Sequence, residues 1–222
     1  MMMNIFSIFD PSTSMMLSIN WFSMILLLSL LPFQYWLLPS RFLMMWSSLL
    51  NYIFNEFKIL INYSFSNLII FIALMIMIFF NNFLGLFPYI FTASSHMSFC
   101  LSLSLSLWLG MMIFSIFNYL NSLLTHLTPQ GTPPLLMPFM VIIESISLII
   151  RPITLAIRLT ANMIAGHLLL SLLGSSGQLI SNFILMNMMI FSQILLFILE
   201  ITVSMIQAYV FSILSALYSS DS

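Results

Sequence analysis

The sequence predicts an all-α integral membrane protein, on three observations. Charge is nearly missing: four Lys+Arg and five Asp+Glu stand among 222 residues, or 4 %, where a soluble domain carries roughly 25 %. Hydrophobic residues reach 62 % and the mean hydropathy is +1.16, more apolar surface than a water-soluble fold of this size can cover. The charges are also segregated, leaving residues 11–40, 59–143, 159–199 and 201–220 without any. A helix needs about 20 apolar residues to cross the hydrocarbon core, so several spans fit. A β-barrel would alternate in segments of about ten residues. Only Leu101-Ser102-Leu103-Ser104-Leu105-Ser106 alternates, inside a stretch too long for a strand, and its serines suit a helix in which they bond back to the backbone. With only Arg41, Lys58, Arg151 and Arg158 as cations there is no phosphate-binding patch, so no nucleic acid is expected as a partner. The single Cys100 excludes a disulfide framework and a cysteine-based metal site, and neither metal nor cofactor is expected.

One membrane domain, 1–222, is expected, without a soluble domain, long linker or repeat. Its first span is placed at about 15–38, ending at Pro39 and Arg41. Over 41–62 the pattern changes: Arg41, Ser48, Asn51, Asn55, Glu56 and Lys58 interleave with Phe42, Trp46, Leu49, Leu50, Phe54 and Phe57. That predicts an amphipathic helix in the headgroup region anchored by Trp46 and Tyr52, a surface loop being the plainer reading. Arg41 and Lys58 assign it to the positive-inside face, with Asp10 opposite. Upright spans follow at about 66–86 and 97–120, joined by a turn from Gly85 to His96. Pro129, Gly131, Pro133 and Pro134 mark a connection. Two segments remain, about 135–173 and 179–218, divided by Gly174-Ser175-Ser176-Gly177. As helices each is about 60 Å long, twice the bilayer core. They must therefore tilt steeply, bend or break, and Pro138 and Pro152 are the places to bend.

Charge inside those long segments needs a partner or a function, because an ionised group at mid-bilayer costs about 2.5–3.5 kcal/mol even on the lenient scale. Glu144, Ser147, Arg151, Thr154, Arg158 and Ala161/Asn162 recur every three or four residues, one polar stripe on a greasy helix. His167, nine residues past Arg158, serves a different face. On the last segment Gln193, Glu200 and Gln207 are spaced by seven, with Ser204 on the same side. A hairpin turning at Gly174–Gly177 does not bring Glu200 level with His167, so tilt, stagger or water is required. Plainer readings stand beside these: Arg151 as an anchor beside Pro152, Glu144 as its ion-pair partner through water, His167 as a packing residue, His96 and His126 as interfacial turn residues. Arg158 is hardest to explain structurally. Titratable groups on facing membrane helices suggest a proton or ion path. An arginine cannot relay protons but repels cations and attracts a carboxylate, which a partner subunit must supply.

The run Arg151-Pro152-Ile153-Thr154-Leu155-Ala156-Ile157-Arg158-Leu159-Thr160-Ala161-Asn162-Met163-Ile164-Ala165-Gly166-His167-Leu168-Leu169 resembles the signature of the subunit a family of F-type ATP synthases, in its mitochondrially encoded, arthropod-like form. Supporting similarities are Pro129–Pro133, Asn81–Tyr89, and Glu200 with Met205–Phe211. The resemblance implies that Arg158 is the essential arginine facing a rotating ring of c subunits, with Asn162 and Gln207 at the same interface. It makes His167 and Glu200 the pair in the half-channel open to the intermembrane space, and Glu144 a group of the half-channel to the matrix. It implies two tilted helices laid against the c-ring, a non-catalytic proton-translocating role in the F0 sector, and peripheral-stalk, small F0 and lipid partners. The inner mitochondrial membrane is the implied location; Met1–Phe9 shows no targeting presequence, and the abundance of Met, Ile, Phe, Asn, Leu and Ser suits an AT-rich genome, organellar or bacterial. The chain shows no Gly-rich phosphate loop with a lysine, so no nucleotide site is expected. The alternative is a membrane subunit of a respiratory redox complex handling quinone or haem. It is weakened by three histidines on separate segments, an odd set for bis-histidine haem.

Overall fold

Hydrocarbon offers no partner to a backbone N–H or C=O, so a chain this apolar must satisfy its own backbone within helices. In the computed structural model every regular element among the described residues is helical: α1 Ser23–Leu30, α2 Arg41–Leu60, α3 Phe65–Gly85, α4 Met97–Asn118, α5 Leu120–Leu127, α6 Met137–Ser176 and α7 Phe183–Asp221, with short 3-10 turns at Ile5–Phe9, Ile19–Phe22 and Ala93–Ser95. The structure describes residues 5–13, 17–61, 65–128, 133, 136–177 and 182–221. Among them α3, α4, α6 and α7 are long and apolar enough to cross a membrane. The chain is a multi-pass, all-α membrane protein.

Two of the expected spans differ from the sequence reading. Within 15–38 the apolar helix covers only Ile19–Leu30. It stops because Leu31 precedes Pro32 and is extended, at φ −71° and ψ 126°, the conformation that a following proline ring favours. The span at 97–120 breaks at Tyr119 (φ −135°, ψ 44°), and a separate helix, α5, begins at Leu120. His126 therefore belongs to a helix and not to a turn. Of the predicted connection only Pro133 is described; Pro129, Gly131 and Pro134 lie outside the described residues, as do 14–16.

α2 begins where Ser40, in extended conformation, accepts a hydrogen bond on its Oγ from Leu43 N–H at 3.3 Å, an N-cap, and Lys58 sits favourably in its last turn. Its buried residue, Phe57, packs with Ile61 on Leu68 and Phe71 of α3 and Ala216 near the end of α7. Arg41, Ser48, Asn51, Asn55, Glu56 and Lys58 are exposed, and so are Phe42 and Leu49 of the predicted apolar set. The main core gathers Ile78 of α3, Cys100 of α4, Leu155, Ala156 and Leu159 of α6, and Ala208 and Phe211 of α7. Ala156 and Ala208 are fully buried, and such small side chains let helix backbones approach.

α6 and α7 have 40 and 39 residues. Pro138 does not bend α6: it occupies the first turn, where its missing N–H is unneeded. Pro152 lies inside a helix that continues past it, buried among neighbouring side chains. The helix also runs on through Gly174, Ser175 and Ser176, so the break expected there falls later.

Candidate functional site

α6 divides into two faces. Leu155, Ala156, Leu159, Thr160 and Met163 are buried against the bundle. Ile153, Thr154, Ile157, Arg158, Ala161 and Asn162 are exposed on the other side. The Thr154, Arg158 and Ala161/Asn162 part of the predicted polar stripe thus lies on the exposed side of α6, while Glu144, Ser147 and Arg151 are half-buried. On α7 the division is equally clear: Glu200, Ser204, Gln207 and Ala208 are buried, while Ile198, Leu199, Met205 and Ile206 are exposed. Each helix thus presents an exposed, mostly apolar row, and that of α6 is interrupted by an arginine.

Contacts along the hairpin set its register. Asn162 Nδ2 donates to Gln207 Oε1 at 2.9 Å, one turn beyond Arg158. A Cβ added at Gly166 would lie 2.9 Å from Glu200 Oε1, 3.0 Å from its Cδ and 3.2 Å from its Cγ. One at Gly174 would lie 3.6 Å from Gln193 Nε2, and one at Gly177 2.7 Å from Met189 Cε. Glu200 therefore packs on Gly166, the neighbour of His167, without the extra tilt or stagger that a turn at Gly174–Gly177 would require. The helices pair about a turn centre several residues later than those glycines, because α6 continues through them.

Around Glu200 the polar atoms are enclosed. Glu200 is 7 % exposed, and neither of its carboxylate oxygens has a hydrogen-bond partner among the described residues. His167 Nε2 is likewise buried without a partner, and its ring meets Phe9 edge-on with centroids 6.3 Å apart. Phe9 comes from the 3-10 turn Ile5–Phe9, and Asp10 follows it at the surface. Hydrogen bonds from Ser12, first its backbone N–H and then its hydroxyl, hold the Asp10 carboxyl below the usual carboxylate range.

The other end of α6 holds a different group. Arg151 Nη2 stands 3.8 Å from Glu144 Oε1, two turns away, and its guanidinium lies over the Tyr218 ring at 5.0 Å from the centroid. Glu144 and Arg151 pair directly, where the sequence reading allowed a contact through water. By ordinary helix rise Glu144 lies about 21 Å before Arg158, and His167 about 13 Å after it.

Sequence reasoning gave no polar role to Asn81, Asn82 and Ser94, yet all three are buried with side-chain atoms that find no partner among the described residues, and so is His96 Nε2 beneath Trp21 and Phe91. Two adjacent asparagines in an otherwise apolar helix were the available signal. Gly85, three residues past Asn82, is packed against Thr92 and Met163, which brings this end of α3 to α6 one turn before His167. Among the described residues no group of three His, Cys, Asp or Glu side chains could hold a metal ion.

The family model described as "ATP synthase A chain" matches residues 13–220. A protein of Anopheles quadrimaculatus named "ATP synthase subunit a" is 54 % identical over 224 residues, covering 100 % of this chain and 99 % of that relative. A protein of the same name from Drosophila melanogaster is 55 % identical over 223 residues, with the same coverage.

Proposed function

Because the chain belongs to the ATP synthase A chain family, we propose that Arg158 is the gate between two half-channels through which this F0 subunit carries protons. The proton-translocating function itself follows from membership of the family, and the redox-complex alternative has no support among the relatives. One observation carries the reading of the site. Arg158 is exposed on the outer face of the α6–α7 hairpin, between a Glu144–Arg151–Tyr218 cluster on one side and a His167–Glu200 cluster on the other.

In this reading a proton enters past Glu200 and His167 and neutralises a carboxylate on the ring of c subunits. Neutral, that carboxylate turns into lipid; ionised, it would pay the cost of a charge in hydrocarbon. After nearly a full revolution it releases the proton to the second half-channel at Glu144. Arg158 draws the ionised carboxylate to the junction and repels protons, since a guanidinium stays charged throughout. Asn162 and Gln207, joined by a hydrogen bond one turn away, line the same interface. The apolar rows of α6 and α7 are the surface on which the ring slides. The protein makes and breaks no covalent bond and holds no nucleotide, which the catalytic head binds instead. Its partners are the c-ring, the peripheral stalk, small F0 subunits and lipid, in the inner mitochondrial membrane, with α2 lying in the headgroup layer.

The test is ATP-driven proton pumping by the assembled complex in liposomes with Arg158→Ala. Assembly with loss of pumping, and a passive proton leak, is the expected result. Normal pumping by an assembled Arg158→Ala complex would make Arg158 a structural residue.

A further inference from the structure

Arg151 is bound from two helices at once. From its own helix it reaches Glu144 at 3.8 Å, and from α7 the Tyr218 ring covers its guanidinium at 5.0 Å. Glu144 and Arg151 are separated by two helical turns, about 10.5 Å of rise, so their side chains must both extend along the helix to meet. An extended arginine pays rotamer entropy for that pose, and an aromatic face on its other side favours the guanidinium where it stands. The backbone beneath is weakened as well. Pro152 has no N–H, so the carbonyl of Leu148 lacks its helical partner, and this turn depends on side-chain contacts to keep its shape. A small cavity lined by Ser104, Trp108, Pro152, Phe211, Ser215 and Tyr218 adjoins it, joining α4, α6 and α7. Arg151 and Glu144 remain partly exposed, at 29 % and 39 % of their side-chain surface.

We propose that Tyr218 and Arg151 form a positioning relay that holds the Glu144 carboxylate on the polar edge of α6. Tyr218 fixes the guanidinium, and the guanidinium fixes the carboxylate. This inference rests on the reading of Glu144 as the acid of the second half-channel, and gives that half-channel a component from the far end of α7. The conduction path at that end is then assembled from two helices, and a displacement of the α7 terminus changes where Glu144 points.

The test uses the assembled complex in liposomes and reads ATP-driven pumping at matched assembly. Tyr218→Phe keeps a ring face over the guanidinium and pumps near the wild-type rate. Tyr218→Leu and Arg151→Leu each slow pumping about five-fold, the size expected from a partly desolvated cation–ring contact. The double variant is no slower than Arg151→Leu alone, because both act through one carboxylate. If Tyr218→Leu fails to assemble, Tyr218→Met replaces it with the same expected loss. Equal rates for the Phe and Leu variants, or losses that multiply in the double variant, overturn the relay. Glu144→Gln is measured alongside: a wild-type rate there overturns the reading of Glu144 and the relay with it, whereas a slow Glu144→Gln with a normal Tyr218→Leu overturns the relay alone.

Discussion

A single missing Cβ places the buried carboxylate. At Gly166 an added methyl would approach three atoms of Glu200 at 2.9–3.2 Å, closer than ordinary van der Waals contact, and Glu200 is too enclosed to yield freely. Gly166→Ala is expected to leave assembly intact and to slow pumping by an order of magnitude or so, because overpacking of this kind costs about 1–3 kcal/mol and falls on the carboxylate proposed to take up the entering proton. Pumping assayed beside assembly on native gels decides it; an unimpaired Gly166→Ala complex would mean that the position of the Glu200 carboxylate is unimportant. Sequence alone showed that Glu200 needed a partner but not that a glycine made room for it. Glycine inside an apolar helix has many uses, and only the register of the facing helix selects among them.

At the scale of elements, the hydropathy pattern located α3, α4, α6 and α7 to within a few residues, since long apolar runs leave the backbone no alternative to a helix in lipid. It erred where one residue outweighed the run: Pro32 ended the first helix before its apolar stretch ended. It erred also in hairpin register, since Gly174 and Gly177 read as the turn while the helix passes through Gly174. That register is tied at mid-length by Asn162 and Gln207. Interhelical hydrogen bonds in membranes contribute about 0.6 kcal/mol on average and up to about 1.7. In a double-mutant cycle of Asn162→Leu and Gln207→Leu, a coupling of that size is expected in the thermal stability of the assembled complex. Strict additivity would show that the two amides are independent, each serving the ring interface alone.

The cations of the chain are unevenly distributed, and that gives the whole chain an orientation. Lys58 follows Phe57, which packs with Ala216 in the last turns of α7, and two residues on Tyr218 covers Arg151. Asp10 and Phe9 lie with His167 at the other end. In the proposed reading the positive-inside rule puts the first end on the matrix side and the second on the intermembrane-space side, and the two proposed half-channels, at Glu144 and Glu200, open to opposite compartments. Cys100 makes this measurable, being the chain's single cysteine, 1 % exposed and donating its thiol to the Ser94 carbonyl at 3.2 Å. The unaltered protein should therefore react little with a membrane-impermeant maleimide. Ser12→Cys is expected to label only from the intermembrane-space side of intact mitoplasts, and Asn55→Cys only after the matrix face is opened. Labelling of both from one side would place the amino-terminal segment and α2 on the same face. The 3-10 turn and α1 over Ile19–Leu30 would then not carry the chain across, and the assignment of Glu200 to the proton entrance would have to be reversed or abandoned.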